Sequence, residues 1–292
     1  LRFLMEAAVI FNRNRGDRAK IEAALEAAGV SASIKAVEGN EIEQCVRDAV
    51  EAGARLVIVG GGDGSISAAA QVLADSEATL AILPIGTLNH LARDLGLPFE
   101  LERAVEVIAK GRTRAIDVAE INGRVFVNNA AIGLYPLMVL DREAQQERLG
   151  RSKRLAMLVA SLRTMVRFHH QRLTLTSNDG EERVDTPLLF VGNNDYQLEM
   201  PGAGKRERLD DGRLCVLVLR KKGLPGFLSA VGRALLGMTR NDDMVRIDDI
   251  EKLRVGSPRS TITLALDGET TSMKPPLDFR IRRHALKVMV PA

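Results

Sequence analysis

Leu56-Val57-Ile58-Val59-Gly60-Gly61-Gly62-Asp63-Gly64-Ser65 is the stretch from which the rest of the chain can be read. An apolar, β-branched run of the kind that fills a buried parallel strand stops at three glycines, an acid, another glycine and a hydroxyl. Ile66 to Leu73 then reads as a helix. A strand, a glycine turn and a helix N-terminus in that order gather unpaired N–H groups and the positive end of the helix dipole at one point, which makes an anion site. Phosphate is the expected guest. A plain turn needing only positive φ is the simpler reading, but four glycines around an acid exceed what such a turn requires.

Working outward, Ala7 to Phe11 reads as a strand that ends in the polar loop Asn12-Arg13-Asn14-Arg15-Gly16. Asp17 can cap a helix reaching about Ala28, with Ile21, Leu25 and Ala28 on one face. Ala32 to Val37 is the next strand and Glu41 to Ala52 the next helix. Beyond the glycine loop, Leu80 to Leu83 is a strand broken by Pro84, and Ile85-Gly86-Thr87-Leu88-Asn89-His90 leads into a helix at Leu91 to Leu95. Leu101 to Ala109 is one more helix. Strands alternating with helices argue for a Rossmann-like parallel sheet covered on both faces. Ligands collect at the carboxyl ends of such strands, where the loops of Asn12, Asp63 and Thr87 all fall.

From Thr113 the pattern changes to short strands separated by turn signals. Ala115 to Ile121 and Arg124 to Ala131 flank Asn122-Gly123, a two-residue hairpin signal. Further β patterns run through Leu173–Thr176, Arg183–Asp185, Leu188–Val191, Leu214–Leu219, Met244–Ile247, Lys252–Val255, Thr261–Leu266, Leu277–Arg282 and Leu286–Val290. That is the signature of an antiparallel sandwich or barrel. The expected division is an α/β domain over residues 1–114 and a β-sandwich domain over 115–292, with the last strand packing back on the first. Two helical patterns, Arg154 to Phe168 and Leu224 to Met238, interrupt the β half. Each sets an apolar stripe beside basic residues, a pattern that packs on a sheet or lies on anionic membrane.

The 292 residues are 46% hydrophobic and 27% charged, an ordinary globular composition. A net charge of +3, with no Trp and two Tyr, argues against nucleic acid as a partner. Cys45 and Cys215 lack metal-ligand spacing and read as buried free thiols of a reducing, cytoplasmic setting. Residues 1–6 carry no long apolar region, and Met5 reads as the natural start. No apolar run is long enough to span a bilayer. Exposed strand edges in the β half make a homodimer through sheet pairing a reasonable expectation.

The glycine loop lacks the Gly-Lys-Ser/Thr ending of a P-loop, and Asp63 would repel a bare phosphate. An acid at a phosphate cradle therefore points to Mg²⁺ bridged to nucleotide oxygens, and so to phosphoryl transfer. Thr87 and Asn89, in the second polar turn at the same sheet edge, could hold nucleotide oxygens as well.

Gly61-Gly62-Asp63-Gly64-Ser65 followed by Pro84-Ile85-Gly86-Thr87-Leu88-Asn89 resembles the bacterial lipid kinases with a diacylglycerol kinase catalytic domain. The likeness continues through Asn128 to Tyr135, the acidic turn Leu209-Asp210-Asp211-Gly212 and Leu266-Asp267-Gly268-Glu269, and so spans nearly the whole chain. The glycine element alone is shared with NAD kinases and phosphofructokinases, but the later elements, in this order, are more specific. The resemblance implies an ATP site in an interdomain cleft, with Asn12, Gly60 to Ser65, Gly86, Thr87 and Asn89 around the nucleotide and Asp63 at the reaction centre. It implies a lipid hydroxyl as acceptor, met at the membrane surface, with Glu269 taking its proton. It further implies a structural Mg²⁺ held by the Asp211 carboxylate and the carbonyls of Arg208 and Arg213. Without the family, Asp267-Gly268-Glu269 reads as a hairpin turn.

Some positions depart from the family pattern. Its Asn-Pro in the first loop is Asn12-Arg13 here, its commoner Thr is Ser65, its Asn-Asp is Asn89-His90, and its Asn-Glu after the glycine loop is Ser67-Ala68. The alternatives are a kinase of a soluble substrate such as NAD, and a nucleotide-binding membrane regulator that has lost catalysis.

Overall fold

The computed structural model describes residues 7–133, 171–178, 180–197, 205–219 and 244–292. They divide into two compact units, one of residues 1–118, 124–127 and 282–292, the other of 119–123 and 128–281. The helical patterns at 154–168 and 224–238, and the Leu134-Tyr135 end of one motif, lie outside the described residues.

The first unit alternates as its sequence reads: β1 (Ala7–Asn12), α1 (Arg18–Ala27), β2 (Ala32–Val37), α2 (Ile42–Glu51), β3 (Leu56–Gly60), α3 (Asp63–Leu73), β4 (Thr79–Leu83), α4 (His90–Asp94) and α5 (Leu101–Lys110). β2, β1, β3 and β4 lie side by side, all parallel. β3 and β4 are buried at every position, as continuous apolar runs between two helix layers must be. On one face Val9, Phe11, Ile58 and Leu83 pack with Ile21 and Leu25 of α1 and Val105 and Ile108 of α5. Asp17 caps α1 as expected, its Oδ1 accepting from the N–H groups of Ala19 and Lys20.

Two strands contribute to both units: β5 (Arg112–Ile121) and β16 (Leu277–Val290). Within the first unit the end of β16 extends the sheet, Val288 pairing parallel with Leu80. Residues 277–282 and 286–290, which read as two strands, therefore form one. The break expected near residue 284 is absorbed by His284 at φ 51°, whose N–H donates to buried Asp117 Oδ1 at 2.8 Å.

After β5, Asn122 and Gly123 turn at φ 47° and 85°, as a type I′ hairpin requires. The returning strand is not the single Arg124–Ala131 run that the pattern suggests. β6 (Arg124–Phe126) pairs with β5, and β7 (Asn129–Gly133) joins a different sheet. The interruption falls at Asn128, whose N–H and side chain are held by residues far along the chain.

The second unit holds two antiparallel arrays. β12 (Met244–Ile250), β11 (Leu214–Leu219), β10 (Leu188–Asn193), β7, β14 (Ile262–Leu266) and β15 (Glu269–Met273) form one, in that order. β9 (Gly180–Thr186), β8 (Gln171–Ser177), β13 (Lys252–Gly256) and the start of β16 form the other. Leu173, Leu175, Leu253, Val255, Leu277 and Phe279 supply the buried face of this second array by simple alternation. β15 is not legible in the sequence, because Glu269-Thr270-Thr271-Ser272 has no apolar alternation to announce it.

Candidate functional site

The loops that follow β1, β3 and β4 converge in the first unit. The glycine loop is shorter than its sequence suggests, because Asp63, Gly64 and Ser65 already form the first turn of α3. An acid in a first turn suits the helix dipole, so residues that read as loop are recruited into the helix. Gly62 is the N-cap and makes no side-chain cap, so the first-turn N–H groups have neither a cap nor an intrahelical partner. Ser65 is buried against Gly61, where a Cβ would meet its Oγ at 2.3 Å.

The Pro84–Asn89 loop lies directly on this cradle. A Cβ on Gly86 would fall 2.3 Å from Gly62 Cα, so the two backbones touch only because residue 86 is glycine. Asn89 shapes that loop from inside. It stands at φ 51° and ψ 50°, a conformation Asn tolerates better than most residues, and it is buried. Its Oδ1 accepts from Gly86 N–H at 3.1 Å, and its Nδ2 donates to the carbonyls of Pro84 and Gly86 at 3.0 Å each. What the loop offers to solvent is the Thr87 hydroxyl and Leu88. Asp63 joins the loops from the other side, its Oδ1 accepting His90 N–H at 2.7 Å.

Asn12 does for the first loop what Asn89 does for the third. Its Oδ1 accepts from Asn14 N–H at 2.9 Å, and its carbonyl from Arg15 and Gly16 at 2.9 and 3.1 Å. The turn thus made carries Arg15 across to Thr87, Nη1 to Oγ1 at 3.3 Å. Sequence reasoning passed over Arg15. Its signal was a cationic residue in a loop already assigned to the phosphate edge, immediately before Gly16.

The other expected residues belong to the second unit. Asp267 and Gly268, at φ 48° and 86°, form the two-residue turn between β14 and β15. Glu269 follows, paired with Leu266 and exposed. Asp267 Oδ1 accepts from the N–H groups of Asn128 and Asn129 at 2.8 and 3.1 Å, while its own N–H donates to Asn129 O at 2.9 Å. The hairpin reading is therefore right as structure, and it sets a carboxylate rigidly at the turn. On a separate turn, Asp211 N–H donates to Asn194 Oδ1 at 3.1 Å, and the Asp211 side chain is 10% exposed. Arg208 Nε lies 3.2 Å from both Asp210 and Asp211, and Arg213 pairs with Asp249 at 2.9 Å. The Arg213 carbonyl accepts the N–H of Asn194 at 3.1 Å. One sheltered carboxylate is a donor that suits Mg²⁺, which keeps most of its waters. The exposed Arg208 guanidinium is a screened and weak competitor for it.

A backbone cradle at a parallel sheet edge, walled by a hydroxyl, a carboxylate and a guanidinium and followed by an antiparallel β unit, is a layout suited to phosphoryl transfer. The comparisons narrow that class. Residues 6–121 match the model of the diacylglycerol kinase catalytic domain. A protein of Pseudomonas savastanoi pv. phaseolicola named "Probable lipid kinase YegS-like" is 30% identical over 263 residues, covering 87% of this chain and 82% of its own length. A Bacillus subtilis protein named "Diacylglycerol kinase" is 28% identical over 240 residues, 80% of this chain and 77% of its own. The crystal structure of a diacylglycerol kinase from Bacillus anthracis str. Sterne superposes with a TM-score of 0.74 at 24% identity, over 98% of this chain and 97% of that one, and so shares the fold. The chain belongs to the lipid kinase family built on the diacylglycerol kinase catalytic domain.

Proposed function

We propose that this kinase transfers the γ-phosphoryl group of ATP, supplied with Mg²⁺, to a hydroxyl of diacylglycerol or a related lipid at the cytoplasmic face of a membrane. Gly62 is the observation that carries the donor half. Its φ of −95° suits any residue, and a Cβ there would meet only Gly86 Cα at 3.5 Å, an ordinary contact. The fold itself makes little demand for glycine at this position, and the bare backbone there leaves room for a ligand to approach the helix N-terminus closely.

In this reading the first-turn N–H groups of α3, the Thr87 hydroxyl and the Arg15 guanidinium bind phosphate oxygens, with Asn12 and Asn89 shaping the loops that present them. Asp63 keeps a carboxylate beside them for the cation that accompanies the nucleotide. Such positioning and charge neutralisation are most of what phosphoryl transfer asks of a protein. Glu269 orients the acceptor hydroxyl and takes its proton. The Asp211 turn holds a second, structural Mg²⁺.

The test is transfer of radiolabelled phosphate from ATP to a panel of dioleoylglycerol, phosphatidylglycerol, sphingosine and ceramide in mixed micelles, with NAD as the soluble control. Labelled lipid that disappears with Asp63→Ala or Glu269→Ala is the expected result. Absence of any lipid product, with Glu269→Ala indistinguishable from the parent, would sink the proposal.

A further inference from the structure

Arg206 is only 5% exposed, a rare situation for a guanidinium, and nothing in the proposed chemistry gives it a task. Its Nη2 donates to Asn128 Oδ1 at 2.9 Å and its Nη1 to the carbonyl of Asn193 at 3.2 Å. The guanidinium carbon lies 5.3 Å from the centre of the Tyr196 ring, and the Tyr196 hydroxyl donates to the Asn128 carbonyl at 3.0 Å. Tyr196 is seated tightly, because a Cβ on Gly192 would strike its ring at 2.7 Å. Asn193 N–H donates to the same Asn128 carbonyl at 2.8 Å.

All of this converges on Asn128, whose N–H is one of the two that Asp267 grips. A continuous chain of contacts thus runs from Arg206 and Tyr196 through Asn128 to Asp267, and from there through the turn to Glu269. An apolar side chain could fill the volume of Arg206, but it would leave Asn128 Oδ1 without this donor in a residue 2% exposed. What requires the arginine is a fixed Asn128. We infer that Arg206 and Tyr196 are positioning residues for Glu269, holding the Asp267-Gly268 turn in the one orientation that presents its carboxylate. This rests on the proposed role of Glu269 as proton acceptor.

The test compares Arg206→Met and Tyr196→Phe in the parent and in a Glu269→Gln background, using the panel lipid that takes phosphate and varying ATP. Arg206→Met should lower kcat roughly 10- to 100-fold, the scale of a misplaced reacting group, and leave KM for ATP unchanged. Tyr196→Phe should do the same to a smaller extent, and it serves where Arg206→Met does not fold. In the Glu269→Gln background neither substitution should lower kcat further, since groups acting through one residue are not additive. Amide exchange at residues 267–270 should quicken in Arg206→Met. Equal losses in both backgrounds, or unchanged kcat and unchanged exchange at the turn, would overturn the positioning role while leaving the base intact. Full activity of Glu269→Gln, or no lipid phosphorylated at all, would overturn both.

Discussion

Gly86→Ala isolates the contact on which the proposed nucleotide cradle depends. The new Cβ would lie 2.3 Å from Gly62 Cα, 2.9 Å from Gly62 N and 2.6 Å from Asn89 Oδ1. Carbon atoms rest at about 3.5 Å, so the two loops must part by about 1 Å, and neither neighbour is the loose end of a flexible side chain. Overpacking of this kind costs about 1–3 kcal/mol. For a domain of this size each kcal/mol lowers Tm by roughly 2–4 °C. The parting also opens the cradle, so ATP affinity should fall at least ~10-fold, equivalent to about 1.4 kcal/mol. Gly96→Ala is the control. Gly96 sits at φ +69° with nothing within 4 Å of the added carbon, so its cost, about 1 kcal/mol, is backbone strain alone. Calorimetric titration with ATP, beside thermal melts of both variants, separates crowding from strain. Wild-type affinity in Gly86→Ala would refute the idea that the two loops form one binding surface.

Other outcomes follow from single contacts. Arg15→Ala should weaken ATP binding by roughly fivefold, about 1 kcal/mol, with Arg15→Lys in between, as calorimetric titration at two salt concentrations can measure. Millimolar Mg²⁺ should raise Tm without nucleotide, and Asp211→Ala should abolish that rise, since a cation bound only to the folded state stabilises it by mass action. Asp17→Ala removes the acceptor for two N–H groups at the start of α1 and should cost about 1 kcal/mol in denaturant unfolding. Burial pushes the Cys215 thiol up from its ordinary range, so it should resist iodoacetamide in the native protein at mildly alkaline pH and react once unfolded. Because the folded value is the higher one, the stability this thiol contributes is present below the unfolded value and is lost as pH rises through the folded one.

Legibility in the sequence tracked how local the cause of each feature was. β3 and β4 could be read because apolar runs between turn signals have few other homes, and α1 because Asp17 announces its start. Several loop residues of the first unit are legible for the same reason: close packing at Gly60, Gly61 and Gly86 and the positive φ of Asn89 are local needs that show in the residue type itself. Where structure was set by partners distant in the chain, the reading failed. The strand expected from Arg124 to Ala131 is cut at Asn128 by Asp267 and Arg206, residues 139 and 78 positions away. β16 stays whole because Asp117, 167 positions before His284, accepts the N–H that a break would have stranded.

The same distinction separates two kinds of asparagine that look alike in the sequence. Asn12 and Asn89 hydrogen-bond within their own turns, and their neighbours, Arg15 and Thr87, face the solvent side of the cradle. Asn128 bonds to nothing nearby in sequence, and its importance lies in what it transmits. A motif can therefore mark a residue as necessary without saying whether it meets the substrate or holds the residue that does. For Asn89 the three hydrogen bonds within the loop spend its amide on shape, so in the proposed reading Thr87 and Arg15 make the nucleotide contacts that its position in the motif suggests for it. Asn89→Asp would keep the acceptor for Gly86 and lose both donors, so it should distort the loop and weaken ATP binding together, whereas Thr87→Val should weaken binding with the loop intact. If Thr87→Val binds ATP as the parent does while Asn89→Asp fails without loss of Tm, the asparagine amide itself meets the nucleotide and this assignment of roles is reversed.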